Sequence, residues 1–372
     1  MNITIHRTAA LAALGCIIAV APLKAEPGNK LEREEKFTAS GADKTELTVK
    51  NPRGRTVIVG RPDAKTVSIV ATRSAVGRDE ADAQEMLDRL SCEVSEHGDE
   101  VVVETRDGNR SDDGRWTIFQ AVKGSRRMAW IDYTIEVPYA FDVAVATTSG
   151  EIRLSNVGGK TEVDATSGDV NIHGVAGNAV ARLTSGDLEV VDVGGDLSVT
   201  ATSGNVVIDN VKGRLDVDGT SGDFRAARIG HGAKIELVSG DFILEGCTGD
   251  VWFRASSGDA RLTEIDGAVD ASTSSGDISA FIIPVGSRVF QLSASSGDID
   301  LSYLPVKDYG FSLDVQTSSG SIECDLPIRV SRVERRRLQG TVGTPGAQIR
   351  IETASGDVGI VEKNEAATKT GR

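Results

Sequence analysis

The dipeptide Ser-Gly recurs along this chain at a fixed period, and that period constrains the fold more than any other feature. It begins at Ser149, Ser167, Ser185, Ser203, Ser221, Ser239, Ser257 and Ser275, every step being 18 residues. It returns at Ser296, Ser319 and Ser355, at steps of 21, 23 and 36. A unit this short cannot bury an apolar face alone, so successive units must stack on one another.

Within the unit, counting from the Ser, apolar residues fall at +3, +5 and +8, as in Val170, Ile172 and Val175 or Val206, Ile208 and Val211. A second set falls at +12, +14 and +16, as in Leu197, Val199 and Ala201. Alternation of this kind means two short strands per unit, separated by turns at the Ser-Gly and at a Gly near +10. Pairing each strand with its equivalent in the next unit gives parallel sheets around a continuous core. The expectation is an all-β parallel β-solenoid (β-helix) of about eleven rungs. Aromatic residues make up 4% of the chain, which suits a narrow interior of Val, Ile, Leu and Ala.

The rest of the chain is read around these repeats. Residues 1–25 look like an export signal: Arg7, an apolar run through Val20, and Ala25 as the small residue before cleavage. Leu14-Gly15-Cys16 only loosely matches a lipidation site, and the apolar run continues past Cys16. That run is too short to span a bilayer and no other stretch approaches the length, so no transmembrane segment is expected. Residues 26–145 are β-rich but irregular, with one helix near 79–90, and read as a ragged beginning or cap. Repeats occupy 146–361, with an insertion near 326–346, and the tail 362–372 lacks large apolar residues and reads as disordered.

Formal net charge is −14, and residues 146–327 hold 27 acidic against 12 basic residues. Nucleic acid is therefore not an expected partner, because phosphates want a basic stripe. Three cysteines, Cys92, Cys247 and Cys324, follow the signal and lack the paired spacing of a zinc site.

Candidate sites are sparse. Asp169, Asp187, Asp223 and Asp241 follow Ser-Gly and would line one edge, where a row of carboxylates is a weak candidate for calcium. The competing reading is turn chemistry, with Gly supplying the backbone angle and Ser and Asp satisfying local donors. Asp209, Asp216 and Asp218 are the nearest approach to a carboxylate constellation for a polysaccharide-acting β-helix enzyme. Repeated Ser without a His partner is not a nucleophile, so no catalytic residue and no cofactor is assigned. Trp252 and Phe281 fall at outward positions and are candidate contacts. Arg335, Arg336 and Arg337 lie in the insertion, either as a solvated loop folded onto acidic rungs or as a contact for an anionic surface.

The units TSGEIRL, TSGDVNI, TSGDLEV, TSGNVVI, TSGDFRA, SSGDARL and SSGDISA resemble the adhesin-like family of exported bacterial β-strand-repeat proteins. The resemblance covers at least Ile131 to Ile360. It implies a parallel β-solenoid without catalytic residues. The strict 18-residue rung is also similar to bactofilins, against which the export signal argues. The favoured expectation is a non-catalytic scaffold in the periplasm or at the cell surface, meeting envelope glycan or protein. The alternatives are a polysaccharide-acting β-helix enzyme and a self-stacking structural subunit.

Overall fold

Why the apolar pattern runs +3, +5, +8 rather than strictly alternating becomes plain from the backbone. The computed structural model describes residues 30–108 and 127–363, with the backbone of short strands at Ala19–Val20 and Lys24–Glu26. The apolar run before Ala19, Cys16 and the tail after Lys363 lie outside the described residues. At +7, seven rungs carry a residue with positive φ: Asn156, Gly174, Asp192, Asn210, Arg228, Gly246 and Glu264, at 56° to 77°. A left-handed residue inserts one position into the strand and flips its parity, so +8 turns inward where +7 would have. Val175, Val193, Val211 and Ile229 are accordingly buried.

The chain divides into two units, Met1–Val163 and Asp164–Arg372. In the first, Lys30–Ser40, Thr66–Val76 and Met128–Pro138 form an antiparallel sheet. Thr56–Arg61 continues it in parallel beside Met128–Pro138, and Ile152–Val157 beside Thr56–Arg61. A second sheet runs Leu90–His97, Glu100–Asp107, Glu46–Lys50, Asp142–Ser149, its last two pairings parallel. The expected helix forms over Glu80–Arg89, where the Asp79 side chain accepts the N–H of Asp82 at 2.8 Å, an N-cap. Its buried Ala83, Met86 and Leu87 face the sheet. At its C-terminal end the buried Arg73 guanidinium donates to the Leu90 carbonyl at 2.5 Å and pairs with Glu35, a cation where the helix dipole favours one.

The second unit is the regular solenoid. Each strand pairs in parallel with the residue 18 further on, as Val170 with Leu188 in one sheet and Ala179 with Leu197 in the other. Between the sheets lie the +3, +5, +8, +12, +14 and +16 side chains, buried throughout. Larger rings are accommodated by local compensation. Phe242 stacks on Phe253 with centroids 5.7 Å apart. Gly219 stands where a β-carbon would meet the Phe224 ring at 2.3 Å.

The far end of this unit departs from a sequential stack. Val289–Ser296 pairs with Pro345–Ser355, which pairs in turn with Gly310–Ser319. In the other sheet Ile299–Tyr303, Val358–Glu362 and Ile322–Asp325 follow the same order. The last rung of the chain is thus inserted between its two predecessors. The 326–346 insertion, read from sequence as a loop, is instead a β-hairpin. Its strands Arg329–Glu334 and Arg337–Val342 are antiparallel, and the second pairs with Gly310–Ser319. It extends the sheet that a simple stack would have left open, which is the physical reason for strand rather than loop.

The Gly after the repeat Ser is required twice over in the regular rungs, as at Gly186, Gly204, Gly222, Gly240 and Gly258. At Gly222 φ is +126°, and a β-carbon would lie 2.0 Å from the Gly204 carbonyl oxygen of the rung before. Gly222→Ala is expected to destabilise the second unit by roughly 2–4 kcal/mol, combining the left-handed backbone and the clash. Equilibrium denaturation measures it, against Gly286→Ala, where φ is also positive at +66° but nothing lies within 4 Å, so the excess loss at Gly222 reports the clash.

Candidate functional site

The aspartates of the repeat are not an open row of ligands, because each is engaged with the next turn. Asp169 Oδ1 accepts the backbone N–H of Asp187 at 3.1 Å, and Asp187 accepts that of Asn205 at 2.8 Å. The series continues through Asn205, Asp223, Asp241, Asp259, Asp277 and Asp298 to Asp357, at 2.7–3.4 Å. Asp357 ends it by accepting both the N–H (2.7 Å) and the hydroxyl (3.0 Å) of Ser321. Those two bonds hold the Asp357 carboxyl below the usual carboxylate range. Asn205 substitutes without a break because an amide oxygen accepts the same N–H. No group of three or more His, Cys, Asp and Glu able to share a metal ion occurs among the described residues.

The carboxylates considered for catalysis are separated. Asp216 and Asp218 lie on Leu215–Ser221, beside Lys234 on the next strand. The Lys234 ammonium is held above its ordinary value, first by its bond to Glu236 and then by Asp216 and Asp218 among other nearby acids. Asp209 lies on Val206–Val211 in the other sheet, paired with Arg228. Burial pushes the Cys247 thiol up to about 11 and that of Cys92 up to about 12, so both stay protonated at neutral pH.

Trp252 stands on the outward face of the Val251–Ser257 strand, part exposed. Its ring lies 5.4 Å from Lys234 Nζ and 4.6 Å from Arg254 Cζ. Arg254 is itself fixed, donating to Asp270 Oδ2 at 2.7 Å and to the carbonyls of Phe253 and Asp270. A Trp held between two cations on a rigid strand is an ordered aromatic surface. Phe281 differs from the exposed contact expected of it: it is 8% exposed and lies under Lys363, 5.2 Å from the ring. Its strand, Ile278–Ile282, lacks the inserted residue, which turns Ile282 inward opposite Ile265 but leaves Phe281 on the outward side, so its burial comes from the cover and not from its facing.

Of the three arginines, Arg335 and Arg336 form the exposed tip of the hairpin. Arg337 turns back to Asp314, with Nη2 to Oδ2 at 3.0 Å and Nε to Oδ1 at 3.3 Å. Beside the hairpin is a cleft of about 530 Å3, walled by Pro284, Pro305 and Pro327, with Tyr309, Arg329 and Glu362 also on its lining. Tyr303 at its base donates to Glu362 at 2.6 Å and meets Phe311 edge-on. Sequence reasoning passed over this cleft. Its signal is a tripeptide recurring where the units lengthen: Ile283-Pro284-Val285, Leu304-Pro305-Val306 and Leu326-Pro327-Ile328.

A family model, Toastrack DUF4097, matches residues 32–245 and again 233–361. The chain belongs to the Toastrack DUF4097 family. No curated protein matches it. Among solved structures it is similar to a candidate cell adhesion protein from Clostridium sporogenes, at 10% identity over 89% of this chain and 100% of that one, TM-score 0.18. It is also similar to a candidate adhesin from Parabacteroides distasonis, at 12% identity over 88% and 97%, TM-score 0.28. A candidate lipid binding protein from the same organism gives 12% identity over 87% and 96%, TM-score 0.30. Likeness at this level carries no argument about what this Toastrack chain binds. Among the described residues, no helix is long and apolar enough to cross a membrane.

Two outcomes test the turn assignment in this Toastrack protein. Asp241→Asn should leave stability near that of the parent, whereas Asp241→Ala should cost about 1 kcal/mol in chemical denaturation, the worth of one hydrogen bond. At Asp357 the folded carboxyl sits below its unfolded value, so its contribution is present above the unfolded value and lost as pH falls through the folded one. Acid titration of Asp357→Asn, monitored by circular dichroism, should lose that part of the pH dependence.

Proposed function

We propose that this Toastrack chain is an exported, non-catalytic scaffold that adheres to glycan or protein surfaces at the bacterial cell envelope. The observation that carries the reading is Trp252, fixed on an outward sheet face between Lys234 and Arg254, with Arg254 anchored on Asp270. The adjoining strand on one side adds Glu236, and the strand before that adds Asp216 and Asp218. An aromatic surface bordered by charged donors and acceptors suits polar partners such as sugar hydroxyls, and a rigid ring loses little entropy on contact. The stacked rungs support this by holding the side chains without a mobile loop. The first 25 residues, read as an export signal, support the envelope as the place of action. That Asp209 lies apart from Asp216 and Asp218 weighs against the polysaccharide-acting alternative.

The chain lacking residues 1–25 is expected to sediment with intact bacterial cells or with isolated envelope glycan. Trp252→Ala should weaken that binding about tenfold, as for a hot-spot aromatic. Equal binding by parent and Trp252→Ala would contradict the assignment of the face, and the release of new sugar ends from the polymer would contradict the non-catalytic reading.

A further inference from the structure

The hairpin Arg329–Val342 combines three features found together nowhere else among the described residues. The first is an open edge. Arg329–Glu334 is the terminal strand of its sheet, pairs only with Arg337–Val342, and is exposed at all six residues. A strand in that position presents a row of backbone donors and acceptors to whatever extended segment meets it. The second is charge. The hairpin carries five arginines against one glutamate, on a chain of net charge −14. Arg332 is held by Glu334 and Arg337 by Asp314, while Arg329, Arg335 and Arg336 stand exposed. The third is apolar exposure: Val330 is 50% and Val333 66% exposed. The register slips at Ser331, which changes strand parity and brings the two valines to one face, opposite the bonded Arg332 and Glu334.

The edge also leads into the cleft. Arg329 opens the strand and lines the cleft together with Pro327 and the half-exposed Tyr309. A segment paired along the edge would therefore deliver one end of itself to a rigid pocket of about 530 Å3, within the range that holds a side chain and more.

We propose that Arg329–Glu334 is a β-augmentation edge for an extended acidic peptide of a partner protein, with the proline-walled cleft receiving an apolar side chain at the peptide's end. Backbone pairing supplies the affinity, and the alternate side chains and the pocket supply the choice of partner. Acidic residues of the peptide meet Arg329, Arg335 and Arg336, and its small apolar residues cover Val330 and Val333. A second copy of the hairpin fits poorly, since it would bring two clusters of arginines together. The surface is distinct from the Trp252 face, so either assignment stands if the other fails.

The test uses the full chain and a fluorescent peptide alternating Glu and Val and ending in Phe, followed by anisotropy. Saturable binding is expected. It should fall about tenfold in Arg329→Glu/Arg336→Glu, two exposed sites, with an unchanged circular dichroism spectrum. It should be lost for the same peptide with alternate backbone nitrogens methylated, which keeps every charge but removes the strand donors. Tyr309→Ala should weaken the Phe-ended peptide and leave a peptide without the Phe unchanged. The proposal is overturned if the parent peptide does not bind, or if the methylated peptide binds equally well. It is overturned too if the chain collects on phosphatidylglycerol vesicles while ignoring the peptide.

Discussion

The structure depends on one contact repeated from turn to turn: a side-chain oxygen at +2 of one rung accepting the backbone N–H at +2 of the next. The turns lie at the surface, where backbone donors would otherwise be left to water. The adjoining Gly packs so closely on the Gly of the neighbouring rung that no side chain fits between them. Together these fix the register of stacking at the corner, and register decides which side chains enter the core. The apolar pattern then has no freedom left, because a slip of one residue would turn every Val and Ile outward.

This dependence explains how much was legible in the sequence. The 18-residue step gives the rung, and the +3, +5, +8 pattern already contains the left-handed residue at +7, visible as Asn, Asp or Gly in most rungs. The helix at Glu80–Arg89 is announced by Asp79 and its acidic first turn. The aspartates had two readings, and only the turn geometry decides between them, since their partner is a backbone atom 18 residues away. Phe281 went the other way: counting from Ser275 places it on the outward side, where it does lie, but Lys363 from the far end of the chain covers it, a contact no count along the repeat contains. The order in which the last rungs stack is illegible for a simple reason. Steps of 23 and 36 are equally consistent with looping out and with one rung returning between two others.

Regular and irregular parts divide the functional surface between them. In the regular part the sheet faces are set by the repeat, and Trp252 is an exception placed on a strand paired on both sides. In the irregular part, lengthened corners at Pro284, Pro305 and Pro327 make the cleft, and the hairpin extends the sheet beside it. Among the described residues, Val289, Tyr309, Val330, Val333 and Val361 belong to this end, and they are most of the large apolar side chains left exposed. Acidity follows the repeat and basicity follows the insertion, so the chain carries both signs in separate places.

Amide hydrogen exchange at the turn positions tests the central claim most directly. The N–H groups of Asn205, Asp223, Asp241, Asp259 and Asp277 belong to exposed residues, yet each has a side-chain acceptor in the rung before. They should exchange on the timescale of the buried strand amides of Ile208 and Ile235 rather than that of solvent-facing turns. Rapid exchange at these positions, with the strands protected, would contradict the account.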